Sequence, residues 1–196
     1  MDIPSRKQAL RRATVERLRA LDPSRRAVEE ATLSARFPSL PGFEAAGCVL
    51  LYASAFAEEI DTTPFLKQTL DLGKRIALPR VDRAEHRLRL FFVADLETDL
   101  RRGTLNIPEP KRSCPEADPS SIDWVLVPGL AFDPQCYRLG RGAGYYDRLL
   151  PTLRPDCPRW ALALDAQWVD ELPVEGHDVA IDGVVSASRT EPHTEP

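Results

Sequence analysis

The feature that most restricts the fold is a short and almost entirely apolar run at residues 122–127, Ile-Asp-Trp-Val-Leu-Val. A run of this length is typical of a strand buried inside a sheet. Further strands are predicted at residues 49–52, 75–79, 88–93, 160–164 and 183–186. Helical patterns end near residues 21 and 37, and others cover residues 64–72 and 145–153. Strands that alternate with helices favour a three-layer α/β/α sandwich with a largely parallel central sheet.

The length of 196 residues fits a single domain with a sizeable core. We expect residues 1–190 to form this domain and residues 191–196 to be a loose C-terminal tail. Residues 100–121 are rich in proline and predict a long loop. Pro79 is expected to end the strand that begins near residue 75.

Charge and hydropathy exclude some classes of protein. The net charge of −4 argues against general nucleic-acid binding, because domains that bind nucleic acids are usually basic. No run of about 18 apolar residues is present, and the first residues lack the apolar core of a secretory signal. We therefore expect no membrane contact, a cytoplasmic location and a monomer that binds small molecules. Free thiols are expected at Cys48, Cys114, Cys136 and Cys157, which lack metal-ligand spacing.

A glycine-rich segment follows the best predicted strand, at residues 138–147, Arg-Leu-Gly-Arg-Gly-Ala-Gly-Tyr-Tyr-Asp. Its alternating glycines permit positive φ angles, so successive backbone N–H groups could turn toward one anion. The interleaved arginines supply forked donors suited to phosphate oxygens, and a following helix would add its N-terminal end. A phosphate cradle is therefore the favoured interpretation, and a plain flexible turn is the alternative. The spacing is neither that of a Walker A loop nor that of a dinucleotide-binding fingerprint.

Three residues at the end of this segment allow two interpretations each. Asp147 lies at the start of a predicted helix, where its carboxylate could cap the helix or hold magnesium. Tyr145 and Tyr146 could stack on a planar ligand, although aromatic residues that open a helix more often belong to the core.

Other charged residues also remain ambiguous from spacing alone. Lys7 and Arg11 lie four positions apart in the first helix, so they share one face that could bind an anion or could simply be solvated. Glu58, Glu59 and Asp61 predict a surface acidic loop, followed by Thr62 as a helix cap. Asp178 is predicted to be an ordinary loop residue.

The order of several short blocks adds a family resemblance. These blocks are Lys7-Gln-Ala-Leu-Arg11, Tyr52-Ala-Ser with Glu59-Ile-Asp-Thr62, Pro79-Arg80, Asn106-Ile-Pro-Glu-Pro110, residues 127–147, and Pro173 followed by His177-Asp178. In this order the chain resembles the 5-formyltetrahydrofolate cyclo-ligases, also called methenyltetrahydrofolate synthetases, over nearly its whole length. The block around Arg138 is the most specific of them.

The resemblance implies ATP- and Mg²⁺-dependent closure of 5-formyltetrahydrofolate to 5,10-methenyltetrahydrofolate, with release of ADP and phosphate. A formamide oxygen is a poor leaving group, and transfer of the γ-phosphoryl group onto it would activate the carbon for attack by the 10-nitrogen. Such a reaction needs mainly alignment and neutralised phosphoryl charge from the protein.

The resemblance also implies roles for particular residues. It places ATP on Lys7, Arg11, Arg138, Leu139, Gly140, Arg141, Gly142, Ala143, Gly144, Tyr145 and Tyr146. It places the folate on Ala53, Glu59, Arg141, Gly142, Gly144 and Tyr145. Arg141 and Lys7 are implied as the catalytic cations, and Asp147 and Asp178 match the magnesium positions.

The chain departs from the family pattern at a few positions. Ala143 stands where glycine or lysine is usual, Cys136 where a turn glycine is common, and Leu105 where an aromatic residue is often found. One extra residue lies between Tyr52 and Glu59. Two alternatives keep a similar fold: a binding module without turnover, and a sugar-phosphate enzyme that needs no ATP.

Overall fold

The computed structural model describes residues 2–103 and 106–193. Its helices are α1 (Ile3–Arg19), α2 (Pro23–Arg36), α3 (Thr63–Asp71) and α4 (Tyr145–Leu149). Its strands are β1 (Cys48–Leu50), β2 (Arg75–Asp82), β3 (Arg87–Val93), β4 (Leu100–Arg102), β5 (Pro108–Pro110), β6 (Glu116–Ala117), β7 (Trp124–Leu126), β8 (Ala131–Phe132), β9 (Arg138–Leu139), β10 (Arg159–Leu162), β11 (Gly183–Val185) and β12 (Thr190–Pro192).

An eight-stranded sheet runs in the order β12-β11-β10-β7-β1-β2-β3-β6. The five strands from β11 to β2 are mutually parallel, whereas β12, β3 and β6 pair antiparallel at the two sides. The predicted α/β fold with a mostly parallel central sheet is thus confirmed, and the strand at residues 122–127 is its central β7.

Hydrophobic side chains fill both faces of this sheet. Along β1, Val49 packs with the aromatic core around Phe37 and Trp124, and Leu50 packs with the core that contains Leu149 of α4. Because neighbouring strand residues point to opposite faces, these two cores form the two layers that enclose the sheet. All four cysteines are buried free thiols, as expected.

The first two helices each begin at an aspartate that caps the helix. Asp2 accepts a hydrogen bond from the Ser5 backbone N–H, and Asp22 accepts one from that of Arg25, each at 2.9 Å. Asp22 followed by Pro23 therefore starts α2 as predicted. Thr62 lies at the cap position of α3 but makes no side-chain capping bond, because its hydroxyl accepts from the Ser54 N–H instead.

Two predicted boundaries near prolines are wrong. Strand β2 continues through Pro79 to Asp82. Strand β1 pairs only with residues 75–77 of β2, so no β1 residue lies beside Pro79. Proline has no backbone N–H, and at this position no hydrogen bond to β1 is lost. Helix α4 ends at Leu149, and the following residues form a short 3₁₀ turn, Leu150–Thr152, around Pro151.

The expected long loop at residues 100–121 is also corrected. It contains the β4–β5 hairpin, and β6, which pairs with β3. Each of these strands is only two or three residues long. Strands this short show no clear alternation of polar and apolar residues, and the prolines around them favoured a loop. Leu105, one of the departures from the family pattern, lies outside the described residues.

The C-terminal tail is likewise not loose where it is described. Strand β12 pairs with β11, and the His193 backbone N–H donates to the Asp182 carbonyl at 2.8 Å. These bonds satisfy the otherwise open edge of β11 and draw residues 191–193 into the sheet. Residues 194–196 lie outside the described part of the chain. No helix in residues 2–103 and 106–193 is both long and apolar enough to span a bilayer.

Candidate active site

A small hairpin leads into the glycine-rich segment, which lies at the carboxyl ends of the parallel strands. After β7 the chain forms the antiparallel pair β8–β9, and Arg138 is the first residue of β9. The hairpin turn is fixed by the buried carboxylate of Asp133, which accepts from the backbone N–H groups of Gln135, Tyr137 and Leu172. Burial raises the pKa of Asp133 more than these hydrogen bonds lower it. The sequence did not predict this hairpin.

Cys136 occupies the tight position of that turn, with a φ of 61°. Glycine tolerates this left-handed conformation better than a residue with a side chain. The thiol is fully buried, and burial raises its pKa to about 11. Burial thus keeps the Cys136 thiol away from solvent, and the raised pKa disfavours the thiolate, which is the nucleophilic form.

The loop glycines differ in how much the backbone needs them. Gly142 and Gly144 have φ angles of 104° and 65°, whereas Gly140 has an ordinary φ and open space where a side chain would lie. Two of the three glycines thus adopt the positive φ values that the sequence predicts. The helix that follows is only five residues long, so the predicted contribution of its N-terminal end to anion binding is not supported.

A pocket of about 230 Å³ opens beside this loop, at the carboxyl ends of the parallel strands. Ligands of open α/β sheets usually bind at this edge. The predicted site residues that border the pocket are Ala53, Glu59, Arg138, Gly140, Arg141, Ala143, Gly144, Tyr145, Tyr146 and Asp147. Its walls also include the apolar side chains of Val81, Leu88, Ile107, Leu130 and Leu162, and the buried polar side chains of Glu109 and Gln167.

Arg138 and Asp147 form an ion pair at this pocket. Arg138 Nη1 donates to an Asp147 carboxylate oxygen at 2.8 Å, and the arginine side chain is only 3% exposed. Its Nη2 group and the Tyr146 hydroxyl are both buried and have no partner in residues 2–103 and 106–193. Buried donors are rarely left unpaired, so these two atoms fit a ligand that brings hydrogen-bond acceptors.

Arg141 is held at the pocket mouth by two carboxylates and one aromatic ring. Its Nη1 lies 3.0 Å from Glu58, and its Nε and Nη2 lie 3.2 and 3.0 Å from one oxygen of Glu59. Its guanidinium carbon lies 3.7 Å from the centre of the Phe56 ring. The predicted acidic loop is therefore not merely a solvated surface, since Glu58 is 3% exposed and contacts the glycine-rich loop.

Lys7 lies beside the segment that contains Asp178. Its Nζ is 2.5 Å from Asp178 and 2.9 Å from Glu175. Burial alone would lower the pKa of Lys7, but these two carboxylates outweigh it and raise that pKa. Burial alone would raise the pKa of Asp178, but the hydrogen bonds from Lys7 and from the Glu175 backbone N–H lower it. Lys7 and Asp178 do not border the pocket itself.

Arg11 and Leu139, two further residues of the predicted ATP site, differ in where their side chains lie. Arg11 reaches the loop, because its Nε donates to the Gly140 carbonyl at 2.8 Å and its guanidinium lies against Gly142. Leu139 packs its side chain with Ala131 and Leu172 in the core, so only its backbone could face a ligand.

Sequence reasoning missed Phe56, Glu58, Tyr52 and Glu175 as parts of this region. Burial, followed by the charge of Glu59 and by Tyr146, raises the pKa of Tyr52 well above its usual value. The only signal for Glu58 was its place in the acidic run, and a solvated loop explains such a run equally well. Its contact with Arg141 joins residues 83 positions apart, which no local pattern shows.

The predicted magnesium ligands can be compared with the chemistry of that ion. Mg²⁺ prefers oxygen ligands and usually takes one or two carboxylates together with substrate phosphates and water. Asp147 and Asp178 offer such oxygens, and each already neutralises a neighbouring cation, Arg138 or Lys7. No group of three or more His, Cys, Asp or Glu side chains in the described ranges could form a metal cage. The residues thus fit a metal held jointly with a nucleotide better than a metal bound by protein alone.

The fold and the site together define a class: an α/β domain in which an arginine- and glycine-rich loop lies beside a largely apolar pocket. The sequence model of the 5-formyltetrahydrofolate cyclo-ligase family matches residues 3–187. The chain belongs to this family.

Similar proteins support the same assignment. The 5-formyltetrahydrofolate cyclo-ligase of Escherichia coli K12 is 32% identical over 176 residues, covering 89% of this chain and 96% of that protein. The corresponding protein of Mycolicibacterium smegmatis is 32% identical over 189 residues, covering 95% and 96%. The solution structure of Aquifex aeolicus 5,10-methenyltetrahydrofolate synthetase is 29% identical, with a TM-score of 0.82 and coverage of 97% of this chain and 94% of that one.

Proposed function

We propose that this chain catalyses the ATP-dependent closure of 5-formyltetrahydrofolate to 5,10-methenyltetrahydrofolate, with ADP and phosphate as the other products. Family membership and the named relatives support the reaction. The observation that carries it is the meeting of Arg138, Arg141 and the glycine-rich loop at one apolar pocket. A sugar-phosphate substrate is not favoured, because it would leave the largely apolar pocket without a planar ring to bury.

The chemistry requires an activated formyl oxygen. In the proposed reaction this oxygen attacks the γ-phosphorus of ATP, and the bond to the β–γ bridging oxygen breaks to release ADP. The 10-nitrogen then attacks the formyl carbon and loses its proton, and phosphate leaves with the former formyl oxygen. The protein must neutralise the phosphoryl charge and align the reacting atoms.

Arg141 and Lys7 are the proposed catalytic cations. Arg141 borders the pocket with its guanidinium at the mouth, where the formyl oxygen and the γ-phosphate would meet. Lys7 and Arg11 lie on the same face of α1, where Arg11 contacts the loop at Gly140 and Lys7 contacts Asp178. There they would contact ATP phosphates, together with the backbone of residues 138–146 and the free Nη2 donor of Arg138.

The folate ring is assigned to the apolar part of the pocket. Ala53 and Tyr145 border that part, and the Glu59 carboxylate stands at its edge. A carboxylate there could accept hydrogen bonds from ring N–H groups of the folate, while Gly142 and Gly144 allow the loop to approach closely.

Asp147 and Asp178 are the proposed magnesium ligands. When bound with the nucleotide, Mg²⁺ would neutralise phosphate charge and orient the γ-phosphoryl group. Arg138 and Lys7 each hold one oxygen of these carboxylates, Oδ1 of Asp147 and Oδ2 of Asp178, so the other oxygen could bind the ion while both cations stay in place. A cytoplasmic location, a monomeric state and the absence of nucleic-acid binding stay predictions.

A spectroscopic assay tests the proposed reaction. Purified protein, ATP, Mg²⁺ and 5-formyltetrahydrofolate should give a rise in near-ultraviolet absorbance from the methenyl product. The rise should disappear when ATP is omitted. Folded protein that binds both substrates and gives no ATP-dependent rise would instead be a binding module without turnover.

A further inference from the structure

Arg141 uses its hydrogen-bond donors unequally on its two acidic partners. Glu58 receives only Nη1, at 3.0 Å, whereas one oxygen of Glu59 receives both Nε and Nη2. The Nε and Nη2 donors form one edge of the guanidinium fork, and such an edge suits two oxygens of a phosphoryl group. Glu59 thus occupies the edge of Arg141 that a phosphoryl group would need.

The two carboxylates also differ in their surroundings. Glu59 borders the pocket, whereas Glu58 does not and is only 3% exposed behind Arg141. The second oxygen of Glu58 lies 3.4 Å from Arg19 Nη2 at the end of α1, and the Arg19 side chain is 64% exposed. A substrate can therefore displace Glu59 from Arg141 and leave the Glu58 contact in place.

The segment that carries both carboxylates is firmly attached to the domain. Arg26 of α2 donates to the backbone carbonyls of Ala57 and Glu59. The other Glu59 oxygen accepts from the backbone N–H groups of Ala55 and Phe56. Because this segment is tied at several points, it can serve as a fixed support for the Arg141 side chain.

We propose that Glu58 is a positioning residue, which anchors Nη1 of Arg141 while the Nε–Nη2 edge passes from Glu59 to the transferred phosphoryl group. The Phe56 ring supports the flat face of the guanidinium during this exchange. The proposal rests on the phosphate role given to Arg141 under the proposed function. Exchange of one anion for another also keeps the arginine charge partnered throughout.

The ionisation of Glu58 agrees with this role. Burial alone would raise its pKa, but its own backbone N–H and the Arg141 hydrogen bond and charge lower the pKa instead. The carboxylate therefore remains charged at neutral pH and holds Arg141 by a charge-assisted hydrogen bond.

A double-mutant cycle separates positioning from a general structural effect. Glu58→Ala, Arg141→Ala and the double variant are compared with wild type in steady-state assays of full-length protein, with saturating ATP and Mg²⁺ and a range of folate concentrations. We expect Glu58→Ala to lower kcat by about ten- to a hundredfold, with the folate KM changed less than about threefold. In the Arg141→Ala background, Glu58→Ala should cause no further loss, since Glu58 acts only through Arg141.

Two more variants serve as controls. Glu58→Gln keeps an acceptor for Nη1 and should recover part of the kcat that Glu58→Ala loses. Glu116→Ala removes a carboxylate from the exposed Arg89 ion pair, far along the chain from the acidic loop, and should leave kcat unchanged. Circular dichroism and melting temperature show whether each variant is folded.

The outcomes distinguish this proposal from the proposed function. Wild-type protein without ATP-dependent turnover would refute the proposed function itself. Wild-type turnover with an unchanged kcat in Glu58→Ala, or losses that multiply in the double variant, would overturn the role of Glu58 alone. Loss of folding in Glu58→Gln as well as Glu58→Ala would mark Glu58 as structural and would equally overturn it.

Discussion

Lys7 Nζ lies 2.5 Å from a carboxylate oxygen of Asp178, although 171 positions separate these residues in the chain. The pair fastens α1 to the segment that leads to β11. A residue assigned to ATP phosphate and one assigned to magnesium thus hold each other. The contact uses only the Oδ2 atom of Asp178, so the Oδ1 atom could bind the metal while the pair stays intact.

The Lys7–Asp178 pair should make stability depend on acid pH. Because the pKa of Asp178 is lowered below its ordinary value of 3.8, its ion pair stabilises the fold above that value. The contribution is lost as pH falls through the lowered pKa. We expect Asp178→Asn to unfold more easily than wild type by about 1–2 kcal/mol at pH 7, and the difference to shrink toward pH 2. Urea unfolding at several pH values measures this.

Asp170→Asn provides the matched control, because Asp170 is exposed and has no ion pair among the described residues. It should unfold like wild type at every pH. A stability difference between Asp178→Asn and wild type that stays constant down to pH 2 would show that the carboxylate charge is not involved.

Replacement of Arg141 by alanine should lower the activity of the protein much more than its stability. The side chain is 37% exposed at the pocket mouth and contributes to no hydrophobic core. We expect Arg141→Ala to lower turnover by about a hundredfold or more, because a cation aimed at a phosphoryl group stabilises charge in the transition state. Its melting temperature should change by only a few degrees. Arg87→Ala, which breaks an exposed pair with Glu85, is the control for loss of a surface charge.

The loop glycines allow a direct test of backbone strain. Gly142 has a φ of 104°, and an added Cβ atom would lie 3.3 Å from the Arg11 guanidinium carbon. Gly142→Ala should therefore destabilise the protein by roughly 1–2 kcal/mol. Gly140→Ala should change stability by less than about 0.5 kcal/mol, since space is open there. Equal stability of the two variants in urea unfolding would argue against the described loop conformation.

Metal binding can be detected without turnover. Any ligand that binds only the folded state raises the melting temperature, and ATP should do so more strongly with Mg²⁺ than without it. We expect Asp147→Asn and Asp178→Asn to lose most of this magnesium-dependent increment, as measured by thermal shift. Asp170→Asn should retain it. A full increment in both site variants would assign the metal to other ligands.

Local signals in the sequence predicted the backbone of the site. The apolar run of β7 and the alternation of strands and helices were sufficient for the class of fold. Asp22 followed by Pro23 also marked the start of α2. The glycines at positions 142 and 144 also indicated the positive φ angles that the loop adopts. These features depend on neighbouring residues only, so they are visible in a single sequence.

Features that depend on distant partners could not be predicted in the same way. Pro79 stays in β2 because its neighbour β1 pairs only up to residue 77, which depends on tertiary pairing. The contacts of Arg141 with Glu58 and of Lys7 with Asp178 cross 83 and 171 positions. Family resemblance suggested roles for some of these residues, but only the fold shows which carboxylate holds which cation.

Isotope transfer provides the most direct test of the central claim, which is that this chain activates the formyl oxygen with the γ-phosphoryl group of ATP. The substrate would be 5-formyltetrahydrofolate labelled with ¹⁸O in the formyl group, and the released phosphate would be analysed by mass spectrometry. The account predicts one labelled oxygen in phosphate for each methenyl product formed. Methenyl product with unlabelled phosphate, or no methenyl product from folded protein with both substrates bound, would contradict it.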